Sequence, residues 1–133
     1  MAYESKVKES SRELTLMEKI NLDDTSDMSA INDYDDGYIF EGIKWWAIVE
    51  IHNDRLQDKT DYTLFVISDK DGEQYYTSSE SFTEAFMHIW KLALEEHNRK
   101  ELPEEDFSIS LKLKRIQSKN YKGKEILSCK YIA

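Results

Sequence analysis

The sequence predicts a mainly β chain with one helix, in the order strand, strand, strand, helix, strand, strand, behind an acidic N-terminal extension. Three observations carry this. Apolar and polar residues alternate with period two in several short runs, the mark of strands with one buried face. A single stretch after Ser81 repeats with helical period. Residues 1–37 hold little of either pattern and many acids.

Within that extension, Leu14, Met17 and Ile20 recur at a spacing of three, with Ser10 or Ser11 as cap, which allows a short helix. From Asp23 to Glu41 there are seven acids and no lysine or arginine, the composition of a solvated arm kept extended by its own repulsion. Such an arm could compete with a nucleic acid for a basic surface elsewhere. The acids lack the alternate spacing and closing glutamate of a calcium loop.

The domain is expected over residues 38–133. Its first strand is Trp45 to Asn53, with Trp45, Ala47, Val49 and Ile51 on one face. Trp46, Ile48, Glu50 and His52 take the other, more polar face, so Trp46 is a candidate stacking platform and Trp45 a core residue. A polar loop leads to the aromatic and β-branched run Tyr62–Ser68. Asp69-Lys70-Asp71-Gly72 then forms a hairpin turn, because glycine tolerates the positive φ needed there, and Gln74–Thr77 returns as a short strand. Ser81-Phe82-Thr83-Glu84 reads as a capping box opening a helix, with Phe82, Phe86, Ile89 and Ala93 on its apolar face and Ala85 and Leu92 beside them. The helix ends near His97-Asn98, before an acidic linker with Pro103. This order is that of a five-stranded OB-like barrel (β-β-β-α-β-β), which binds oligonucleotides or oligosaccharides across its strand face.

The last 27 residues, from Phe107, differ in charge from the rest. Seven basic residues face the single acid Glu125, whereas the whole chain carries −9. Phe107, Ile109, Leu111 and Leu113 alternate with Ser108, Ser110, Lys112 and Lys114. A second run sets Leu127, Cys129 and Tyr131 against Ser128 and Lys130, and Ser118–Lys124 connects the two. The stretch is therefore a hairpin with a dry side, a cationic side, and a tip where Lys119, Lys122 and Lys124 surround Tyr121. Lys112, Lys114, Lys119, Lys122 and Lys124 are candidates for phosphate contact and Tyr121 for base stacking. The plainer alternative is a solvated hairpin that offsets acids elsewhere.

At 133 residues the chain suits one modest core. Cys129 is its only cysteine, so an internal disulfide and a thiolate metal cluster are excluded, and a reducing cytoplasm fits. The longest apolar run, Trp45–Val49, is far too short to span a bilayer, and no signal-peptide pattern begins the chain. His88 and His97 lie nine apart, which is no metal pair, and His52 stands alone. No nucleophile motif or phosphate-cradling glycine loop occurs, so no enzyme, metal or cofactor is expected.

Along Thr63 to Ile132 the sequence resembles the single-stranded-DNA-binding proteins of small protein-primed phages of Gram-positive bacteria. The points of similarity are Asp71-Gly72 and Tyr75, then Ser81, Glu84, Ala85, Ile89, Leu92 and His97, then Phe107, Ile109, Lys112, Ser118-Lys119, Gly123 and Leu127-Ser128. The resemblance implies a non-enzymatic protein that coats displaced strands during replication, with Tyr75 stacking on bases. The acidic N-terminal residues depart from that pattern and leave the oligomeric state open. The net charge of −15 over residues 1–106, which is −9 for the chain less +6 for its last 27 residues, suggests a second function, an acidic mimic of DNA that inhibits a host nucleic-acid-binding enzyme, for example in a defence system.

Overall fold

The computed structural model describes residues 3–22, 25–53, 61–117 and 125–132. It is mainly β with one long helix. The elements are β1 (Tyr3–Ser10), α1 (Leu16–Asn21), β2 (Ser29–Ala30), β3 (Ile39–Asn53), β4 (Asp61–Asp69), β5 (Gln74–Thr77), α2 (Glu80–Arg99), β6 (Ile109–Gln117) and β7 (Glu125–Ile132). From β3 onward, their order is the expected one. The chain divides into two compact units, residues 1–31 with 45–78 and residues 32–44 with 79–133, so β3 contributes to both.

The first unit corrects the picture of a free N-terminal extension. β1 pairs antiparallel with the second part of β3, Val7 opposite Val49, and β2 pairs parallel with β5. The strand order is β2, β5, β4, β3, β1. Leu14 and Leu22, which flank α1, are buried with Trp45, Ala47, Val49, Ile51, Leu64 and Val66. Met17 and Ile20, expected on the apolar side of this helix, are exposed. The cap is Thr15, whose hydroxyl accepts from the Glu18 N–H while the Glu18 carboxylate accepts from the Thr15 N–H. Burial opposes ionisation of Glu18, but the Thr15 N–H and the Arg12 guanidinium outweigh it and hold its carboxyl below the ordinary value. Ile31, within the acidic run, is fully buried.

The β4–β5 turn forms as its sequence requires. Gly72 has φ +85, and the Asp69 carboxylate accepts from the N–H groups of Asp71 and Glu73, both at 2.9 Å.

In the second unit the first part of β3 lies beside β6, and β6 beside β7. Leu111, Leu113, Leu127 and Cys129 are buried on one face of the hairpin. α2 packs against β7 and buries Phe82, Phe86 and Trp90 at a spacing of four. Its rings stack in sequence and end edge-on against Phe107, 4.8 Å from Trp90. Leu92, expected beside the apolar face, is half exposed instead, because the buried stripe runs through Trp90. The helix also begins earlier than the Ser81–Glu84 pattern implies. Ser79 is the cap, accepting from the Phe82 N–H, while the Ser81 hydroxyl donates to the Leu127 carbonyl at 2.6 Å and ties helix to strand.

These roles separate in denaturant. Ser79→Ala should lose about 1 kcal/mol as a missing cap, Ser81→Ala a similar amount as a broken helix–strand bond, and Glu84→Ala should stay within ~0.5 kcal/mol of wild type. A large loss for Glu84→Ala in urea melts would restore the capping box to Ser81.

Burial pushes the Cys129 thiol up to about 12 from an ordinary value near 9. Above pH 9 the unfolded chain releases this proton and the folded chain keeps it, so stability falls as pH rises through that window, by about 1.4 kcal/mol per unit. Cys129→Ala should flatten this fall relative to wild type, and the native thiol should resist alkylation at pH 8 until denaturant is added. Rapid labelling of the folded protein would contradict its burial.

Candidate nucleic-acid interface

Antiparallel pairing determines which side chains share the outward face of the β6–β7 hairpin. Lys112 stands opposite Lys130, Lys114 opposite Ser128, Ile116 opposite Ile126, and Ser110 opposite Ile132. On its other side Lys112 is opposite Ile39 of β3. Residues directly opposite point to the same face, as do residues two apart along a strand, so Ile39, Lys112, Lys130, Lys114, Ile116 and Ile126 form one surface. Successive rows are about 7 Å apart and neighbouring strands about 5 Å.

Among the described residues, the lysines on this face have no acidic partner: no carboxylate lies within ion-pair distance of Lys112, Lys114 or Lys130. Glu125, the one acid of the C-terminal stretch, pairs instead with Arg115 at 3.6 Å. Like charges directly opposite on adjacent strands repel, so the Lys112–Lys130 pair weakens the hairpin that carries it. Three cations at this spacing can take anionic oxygens a few ångströms apart, such as those of a phosphodiester chain.

Arg115 has a different task. It falls on the inward side, opposite Leu127. Its Nε and Nη2 donate to the Tyr34 carbonyl at 3.1 and 2.7 Å, and Nη2 also donates to the Asn32 carbonyl. Its backbone N–H donates to the Asp36 carboxylate at 2.7 Å. The Gly37 N–H donates to the Leu113 carbonyl, and the Leu113 N–H to that of Tyr38. The acidic run is thus fastened at residues 32–38 rather than held off as a free arm.

The candidate residues are therefore divided. Lys112 and Lys114 come together on one face, and Lys130, read from sequence as facing the same side but not as a candidate, joins them. Counting equal numbers of residues back from the seven-residue connection would have placed it opposite Lys112. Lys119, Tyr121, Lys122 and Lys124 lie outside the described residues. Trp46 and Tyr75 belong to the other unit. Both lie on the sheet face of Phe65 and Ile67, and Tyr75, opposite Ile67, is half buried.

Trp46 cannot serve as an open platform. It is 4% exposed with Phe65 6.0 Å away, and its indole N–H is buried without an acceptor among the described residues. The sequence pattern misled here because Glu50 and His52 make that face look wet only toward the strand's end.

Among the described residues, no group of three or more His, Cys, Asp or Glu is arranged to hold a metal ion. No described helix is long and apolar enough to cross a membrane.

Lys130→Glu replaces repulsion with attraction across the strands. Stability should rise by about 0.5–1 kcal/mol at low salt and the gain should shrink as salt is added. An unchanged or lower urea midpoint would mean that the lysines already have anionic neighbours. No family model matches the chain, and comparisons with curated proteins and with solved structures find no similar protein.

Proposed function

We propose that this is a non-enzymatic single-stranded-DNA-binding protein that coats and protects displaced strands in replication, with the outward face of β6–β7 as its phosphate-binding surface. One observation carries the reading. In a chain of net charge −9, Lys112, Lys114 and Lys130 share a sheet face on which no acid pairs with them among the described residues. The connection between these strands adds Lys119, Lys122, Lys124 and Tyr121 in sequence. The succession of β3, β4, β5, α2, β6 and β7 supports an OB-like arrangement, whose strand face commonly carries single strands. In this reading Tyr121 stacks on bases, as the family resemblance implies for Tyr75 within its own unit, while Trp46 contributes to the core.

Titrating the protein with a labelled oligothymidylate at several salt concentrations tests the proposal. The three lysines of the face alone predict a log-log slope of about −2, contacts by the connecting lysines would steepen it, and removing one contact, as in Lys112→Gln, should reduce its size by about 0.7. A flat salt response would exclude phosphate binding here. Loss of oligonucleotide binding together with stoichiometric capture of a DNA-binding enzyme from host lysate would favour the inhibitor.

A further inference from the structure

The lysine face is only half cationic. Ile39, Ile116 and Ile126 are 50%, 44% and 39% exposed on it, and Ile116 and Ile126 stand directly opposite each other next to the Lys114 row. Exposed aliphatic side chains cost stability in water and add nothing to phosphate affinity. Their position beside cations that no described carboxylate neutralises calls for an occupant that is both polyanionic and apolar on the same side.

We infer that Ile39, Ile116 and Ile126 form the base-contacting half of this interface and determine its preference for single strands; the inference rests on the function proposed above. A duplex offers phosphates to the lysines but keeps its base faces stacked inside. An unstacked strand offers phosphates and apolar base faces together, and only it can cover lysines and isoleucines at once. The face holds no arginine, asparagine or glutamine among these residues to read base edges, so the contact is indifferent to sequence. The three isoleucines thus take a part usually given to aromatic platforms.

The test compares the full-length protein and its variants on oligothymidylate and on a duplex with the same number of phosphates. Ile116→Thr with Ile126→Thr keeps β-branching on an exposed face, and a thermal melt checks that the fold persists. Oligothymidylate affinity should fall about tenfold with the salt slope unchanged, while duplex affinity stays level. Ile126→Tyr should instead tighten oligothymidylate binding, which guards against a loss caused by misfolding. Equal losses on both nucleic acids, or none, would remove the isoleucines from the interface and leave the single-strand function standing. If wild type binds neither nucleic acid, the function itself falls. Competition by poly-glutamate that is as sensitive to the isoleucine variants as oligothymidylate would overturn the inference in favour of an acidic polypeptide.

Discussion

The strict alternation of the β6–β7 hairpin is the constraint on which the candidate interface depends. Leu111 and Leu113 are fully buried, and Leu127 and Cys129 nearly so. A slip of one residue in either strand would exchange faces and drive lysines into that core, so the register is specified strongly. The same commitment holds Lys112, Lys114 and Lys130 outward side by side, although their mutual repulsion opposes it. The core therefore enforces a surface that the charges alone would not choose.

Much of this was legible because it is local. The period-two runs from Phe107 onward, the Asp69–Gly72 turn and the helix after Ser79 each depend on neighbours within a few positions. What escaped the sequence depends on partners far along the chain. Residues 3–10 have no marked alternation, and they become a strand because β3 offers an edge. The Ser81 hydroxyl matches a capping pattern, but a carbonyl 46 residues away claims it. Ile31 reads as part of an acidic loop and is buried because its flanking segments are anchored on either side.

The aromatic residues show the same limit at the level of function. Trp46 stands out for its ring chemistry and Tyr75 for its match to the family that the sequence resembles, and ring chemistry serves a core as well as a ligand. Trp46 is enclosed with Phe65, and the Phe82, Phe86, Trp90 and Phe107 rings line a helix–strand contact. The isoleucines carry no functional signal in the sequence, because isolated aliphatic residues are ordinary on strands. Only pairing shows that three of them border one cluster of lysines.

The fastening made by Arg115 uses main-chain oxygens of Asn32 and Tyr34. Carbonyl acceptors carry no proton to gain or lose at ordinary pH, so this part of the tie does not depend on pH. It also places the burden of heredity unevenly: substitutions at positions 32 and 34 leave an acceptor in place, whereas position 115 needs a long, forked donor. A lysine there has one ammonium to span the same two carbonyls, and the segment leading into β3 would loosen first.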